Sequence, residues 1–117
     1  RLTHDDKVNS IAFEDAMEKR FALSAEQIVP LIPAMGYCYA TDRITVDGVG
    51  VGFMYREFPD KPNDSGWRFF SGDESQEYVD DAANTMLYDV NDIANYDRAI
   101  IPYLDTEPPC AFERLED

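Results

Sequence analysis

Cys38-Tyr39-Ala40-Thr41-Asp42-Arg43-Ile44-Thr45-Val46-Asp47-Gly48-Val49-Gly50-Val51-Gly52-Phe53-Met54-Tyr55 is the stretch on which the reading of the fold turns. At its centre, Asp47-Gly48 is the residue pair suited to the positive-φ positions of a type I′ hairpin turn. A two-residue loop there pairs Val46 with Val49, Ile44 with Val51 and Asp42 with Phe53. Alternation along the two strands then sets Cys38, Ala40, Ile44, Val46, Val49, Val51, Phe53 and Tyr55 on one apolar face. Gly50 and Gly52 fall on the opposite face, where missing side chains relieve local packing or admit a second element.

Downstream, the turn-rich run Pro59-Asp60-Lys61-Pro62-Asn63-Asp64-Ser65-Gly66 separates this hairpin from a further strand over Trp67 to Ser71. Asp73 reads as an N-cap, with Glu74 and Glu77 in the first turn of a short helix to about Asp81, and Tyr78 and Val79 as core contacts. Leu87 to Val90 reads as a brief strand, and Asn91 as the cap of a helical turn through Tyr96. Ile100, Ile101 and Leu104 supply apolar packing. Pro108-Pro109 breaks the chain before a final alternating strand, Cys110 to Arg114.

Upstream, Thr3 to about Ala22 reads as a helix whose stripe is Phe13, Ala16, Met17 and Phe21. Ser24-Ala25-Glu26-Gln27 carries the capping-box pattern of a second helix, kept short by Pro30 and Pro33. The expected class is α+β: N-terminal helices packed on a mainly antiparallel β-sheet, with short helices in the C-terminal half. With no repeat, low-complexity tract or linker, residues 1–117 read as a single domain whose residues 1–36 form a helical N-terminal segment.

Charge narrows the function classes. The 117 residues carry 24 acidic and 10 basic side chains, a formal net charge of −14, and a pI near 4.2. The imbalance is concentrated: residues 1–72 hold 11 acids and 8 bases, residues 73–117 hold 13 acids and only Arg98 and Arg114. Such a field repels phosphates, so direct nucleic-acid binding is disfavoured. The same field suits a cationic partner protein and, equally well from charge alone, a plain solubilising surface. No apolar run approaches the ~20 residues of a membrane helix, and no leader pattern is seen, so a cytoplasmic protein with no membrane partner is expected. Cys38 and Cys110, in no C-x-x-C pattern, read as reduced, semi-buried thiols.

Catalytic chemistry has little support. His4 is the one histidine, so Ser/His/Asp, Cys/His and multi-His metal sites are not expected. Asp60 to Gly66 differs from a calcium loop, because Pro62 stands at the third position and Gly66 comes one place late. Gly48-Val49-Gly50-Val51-Gly52 lacks the Lys-Ser/Thr and the following helix of a phosphate loop. Asp73, Glu74 and Glu77 share a helix face and admit a divalent-metal or acid/base reading, but a capped helix start explains all three. No cofactor, metal or catalytic residue is expected.

Several short motifs in order carry a resemblance: Tyr55-Arg56-Glu57, Pro59-Asp60, Asp64-Ser65-Gly66-Trp67-Arg68-Phe69, Gly72-Asp73-Glu74, Tyr78, Asn91-Asp92-Ile93-Ala94-Asn95-Tyr96-Asp97 and Ala111-Phe112-Glu113-Arg114. Together they resemble a bacterial domain family grouped with the immunity proteins of polymorphic toxin systems, immunity family thirty-three, over about residues 37–114. The resemblance implies an antidote that binds a cognate toxin, typically encoded next to it, and no enzymatic activity. An acidic antidote suits a basic nuclease toxin, whose phosphate-attracting site carboxylates can occupy. On this reading Asp73, Glu74, Glu77, Asp80 and Asp81 form the acidic contact face and Trp67 or Tyr78 the aromatic anchor. Asn91, Asn95, Tyr96 and Asp97 extend that face. At least one of Arg56 and Arg68 is expected to form a structural ion pair with a carboxylate, Glu57, Asp64, Asp73 or Glu74. The competing readings are a small intracellular ligand-sensing or adaptor domain and, behind it, a carboxylate/divalent-metal enzyme.

Overall fold

Trp67 and Phe69 alternate along a seven-residue strand and are both fully buried, so that strand takes the middle of the sheet. The structure is a computed structural model and describes residues 19–115. Its strands are β1 (Tyr37–Thr41), β2 (Phe53–Arg56), β3 (Asp64–Phe70), β4 (Thr85–Asp89) and β5 (Cys110–Glu113), in the spatial order β4-β1-β3-β2-β5. Three short helices, α1 (Asp42–Thr45), α2 (Gln76–Asp80) and α3 (Val90–Tyr96), and 3-10 turns at Ala25–Gln27, Ala82–Asn84 and Arg98–Tyr103 complete the described chain.

The hairpin expected across Asp47-Gly48 does not form. β1 and β2 are not neighbours; β3 lies between them, parallel to β1 and antiparallel to β2. After Thr41 the chain enters α1, and the amides of Val46 and Asp47 both donate to the Asp42 carbonyl, at 2.8 and 3.0 Å. Gly48, at φ 77°, then turns the chain out of the helix. Asp-Gly satisfies a positive φ after a helical turn as readily as in a hairpin, and Ile44 and Thr45 reach the interior as helix positions. The face assignment changes accordingly: Met54 joins Cys38 and Ala40 in the core, while Phe53 and Tyr55 project to the other side. Gly52 marks a close approach, since a Cβ there would lie 2.0 Å from the Ser71 carbonyl oxygen.

The expected class is corrected as well. The sheet is mixed, through the parallel β1–β3 pair, and no described α-helix precedes β1. Of the Thr3–Ala22 helix, residues 19–22 are described and are not helical; the remainder, with Phe13, Ala16, Met17 and His4, lies outside the described residues. Ser24 to Gln27 gives one exposed 3-10 turn, with the Gln27 side chain accepting from the Ser24 amide at 2.8 Å, before Pro30 and Pro33 hold the chain extended. The helices that cover the sheet follow β1 and β4.

One face of the sheet is covered. Ile44 of α1, Val90, Ile93 and Ala94 of α3, and Ile100 and Leu104 pack over Cys38, Ala40, Met54, Trp67 and Phe69. Burying the Val, Leu, Ile, Met and Phe side chains among these stabilises by about 1.5–3 kcal/mol each. The Trp67 indole N–H donates to the Leu104 carbonyl at 3.1 Å, so its one polar atom is satisfied. Outside α3, the extended segment at 28–32 is held by two side chains one helical turn apart. Asn91 Oδ1 accepts from the amides of Leu31 and Ile32, Asn95 Oδ1 accepts from the Val29 amide, and both Nδ2 groups donate to the Val29 carbonyl. Each side-chain amide thus acts as a strand edge for a segment with no strand partner. No helix among the described residues is long and apolar enough to cross a membrane.

Candidate functional site

The Asp64-Ser65-Gly66-Trp67-Arg68 motif builds an irregular entry to β3. Tyr37 and Tyr39 of β1 face Asp64 and Arg68, so β3 spends two more residues than β1 over the same span. Gly66 makes this possible: its φ is 87°, and a Cβ would lie 2.2 Å from the Glu57 carbonyl oxygen. The Ser65 hydroxyl donates to the Tyr37 carbonyl at 2.6 Å and accepts from the Trp67 amide at 3.1 Å. The bulge leaves Asp64 and Arg68 side by side.

Arg68 meets Asp64 in a bidentate pair at 3.1 and 3.0 Å and reaches Glu57 through Nε at 3.0 Å. Its guanidinium lies 4.8 Å from the centre of the Tyr39 ring. Those guanidinium bonds hold the Asp64 carboxyl below the usual carboxylate range. Burial works against the charge on Arg68, but the hydrogen bonds and charges of Asp64 and Glu57 outweigh it and keep the guanidinium protonated. Arg56 points the other way and donates to the carbonyls of Ser65, Leu104 and Thr106. Among the described residues it meets no carboxylate within ion-pair distance.

Around Arg68 lies the face of the sheet that the described residues leave uncovered. Tyr55 and Phe70 stack at 5.9 Å, and Phe53 contacts each at 6.0 Å. These rings are half-buried, and Leu87 on β4, opposite Tyr39, is 51% exposed. A groove of about 450 Å³ runs between Tyr39, Tyr55, Arg68 and Phe70 on the sheet and Val79 and Ala82 at its flank.

The acidic residues of 73–97 do not form one surface. α2 and its following turn flank the uncovered face, α3 packs on the covered one, and β4 runs between them as a sheet edge. Asp73 is not the helix cap. Ser75 is, accepting from the Tyr78 amide at 3.0 Å, while Asp73 forms a bidentate pair with Arg43 at 3.2 and 2.8 Å that lowers its pKa to about 2. Glu74 turns back toward the sheet to accept from the Thr41 hydroxyl and from the Ser71 and Gly72 amides. Burial pushes its carboxyl upward, but those bonds outweigh it and hold it low. Glu77, Asp80 and Asp81 are exposed, Asp81 also capping Ala82–Asn84, and Tyr78 is half-buried.

Across the sheet, Asp89, not Asn91, caps α3, and Asn91 and Asn95 are occupied by the segment at 28–32. The Tyr96 hydroxyl accepts from the Leu23 amide at 3.4 Å. Asp97 accepts from Val51 and Ala99 amides and pairs with Arg114 at 2.7 Å. Trp67 is 0% exposed and leaves no surface for a partner. The half-exposed aromatic residues on this face of the sheet, Tyr39, Phe53, Tyr55 and Phe70, are not singled out as a contact surface by the sequence reading. Their signal was the apolar residues at both parities of Trp67-Arg68-Phe69-Phe70, which calls for two apolar faces.

Chemically the described residues are quiet. Cys38 and Cys110 are free thiols, and burial pushes the Cys38 thiol far above its ordinary range, so it is protonated and unreactive. Among the described residues, no three His, Cys, Asp or Glu side chains gather as metal ligands do. Side chains fixing backbone and an uncovered aromatic face make an arrangement fit for recognition. Residues 38–117 match the Immunity protein Imm33 domain, from the second residue of β1 through β5 and the C-terminal end. The chain belongs to that immunity protein family, and the role this carries is immunity, with a cognate toxin as partner. Searches of the curated proteins and of the solved structures returned no match.

Proposed function

We propose that this protein is an antidote that binds its cognate toxin directly and blocks it by steric and electrostatic occlusion, in the cytoplasm and without catalysis. The observation that carries the reading is the family match from the second residue of β1 through all the other strands and the helices that cover them. The charge of −14 supports a basic toxin, of which a nuclease is the class best suited, because carboxylates compete for the field that attracts phosphate. Exposed Glu77, Asp80 and Asp81 supply rim charge that speeds encounter, while Asp73 and Glu74 act through the loop they hold.

The test is co-expression with the product of the adjacent gene. The protein is expected to restore growth to cells poisoned by that product and to co-purify with it. A neighbouring product that neither binds nor poisons cells lacking this protein contradicts the antidote reading.

A further inference from the structure

The two faces of the sheet carry comparable apolar side chains, yet the described residues cover only one. On the other, Phe53, Tyr55 and Phe70 form an aromatic cluster with Arg68 between it and Tyr39, with Leu87 exposed at the β4 edge and a groove of about 450 Å³ along one side. Among the strand positions on this face Arg68 is the one base, and its charge is met by Asp64 and Glu57. Exposed Glu57 and Glu113, opposite Phe53, and Asp89, opposite Tyr37, leave the rim acidic.

We infer that this aromatic face is the surface on which the cognate toxin docks, and that the toxin's docking element is cationic, with apolar side chains that enter the groove. The inference rests on the antidote reading and adds the surface to it. Ring faces carry negative quadrupoles that attract Lys and Arg, and Arg68 above Tyr39 shows that geometry within the protein. Aromatic side chains dominate the energetic centres of interfaces, and an acidic rim steers a basic partner toward them. A second copy of this chain is the wrong occupant electrostatically, because two molecules of charge −14 would bring like-charged rims together.

The test uses the full chain and the product of the adjacent gene, with affinity measured by calorimetry and fold by thermal melting. Leu87→Lys places a charge on the aromatic face. Val29→Lys places the same charge at a site 41% exposed on the segment beyond α3, across the sheet. Leu87→Lys is expected to weaken binding about tenfold or more and Val29→Lys no more than about twofold. Tyr55→Ser is expected to weaken binding similarly, chiefly through faster dissociation, in a protein that still melts cooperatively. Equal losses at 87 and 29 overturn the assignment, as they report net charge alone. Unchanged toxin affinity at both 87 and 55 also overturns it, and an accompanying change in sedimentation or a large fall in melting temperature then identifies the occupant as a second copy or the protein's own chain. If the wild type binds no toxin, the antidote reading falls and the docking surface with it.

Discussion

Trp67 and Arg68 are adjacent in β3 and look to opposite sides of the sheet, and the two sides are built to different ends. On Trp67's side α1, α3 and the Arg98–Tyr103 turn exclude water from Cys38, Ala40, Met54 and Phe69. On Arg68's side the aromatic rings remain half-exposed and the charge is held by two carboxylates. The difference shows where tolerance to change lies. A covered position answers in stability, whereas an uncovered aromatic answers first in whatever binds it.

The largest expected effect is on the covered side. Trp67→Ala removes a fully buried ring and leaves the Leu104 carbonyl with the longer bond from Arg56, and should cost roughly 3–5 kcal/mol in urea unfolding. A cost below about 1 kcal/mol would break the comparison. Next comes Asn91→Ala, which orphans the amides of Leu31 and Ile32 and one bond to the Val29 carbonyl; about 1–3 kcal/mol is expected. Hydrogen exchange should accelerate at residues 31 and 32 ahead of β3. Uniform acceleration would show that Asn91 supports the whole core and not the segment it touches.

A smaller effect appears on acidification. Arg68 holds Asp64 below the ordinary 3.8, and Arg43 and Ser71 bring Asp73 to about 2. A carboxyl with a depressed folded pKa stabilises above its unfolded value and loses that contribution as pH falls through the folded one. The melting temperature should therefore fall between about pH 4 and 2, and Asp73→Asn should flatten the lower part of the fall modestly, because that pair is solvent-screened. Asp92, raised by burial and by Asp89, acts in the opposite sense. A melting temperature that rises over this range would show Asp92 outweighing both pairs. Smallest in stability is charge reversal at Asp80 and Asp81, expected within about 0.5 kcal/mol. Stopped flow should show slower association with a flatter salt dependence; an unchanged rate would leave these carboxylates as solubilising charge.

Much of this architecture is legible in the residues, with a consistent boundary. β5 coincides closely with the alternating run at 110–114, because local apolar alternation is what that segment expresses, whereas β3 begins three residues before the expected 67–71 and β4 two before 87–90, with Val90 opening α3. The 38–55 stretch misleads because Asp47-Gly48 encodes a local turn, whereas the insertion of β3 between β1 and β2 depends on contacts far apart in sequence. Helix caps shift by two residues, from Asp73 to Ser75 and from Asn91 to Asp89, since neighbouring Asp, Ser and Asn compete for the same role. The Arg68 pairing follows from charge types, but the bulge at Ser65-Gly66 that sets Asp64 beside it does not. Least legible is which face of the sheet stays open, because Trp67, Phe69 and Phe70 are equally apolar and only the path of α3 distinguishes them.

Side-chain footprinting of the tyrosines, free and in complex with the product of the adjacent gene, tests the docking face most directly. Tyr39 and Tyr55 stand on the aromatic face, and Tyr103, 47% exposed, packs against Phe112 at 4.9 Å toward the covered side. Protection of Tyr39 and Tyr55 with Tyr103 unchanged is the predicted result. Protection of Tyr103 with Tyr39 and Tyr55 still labelled at their free rates would contradict the account.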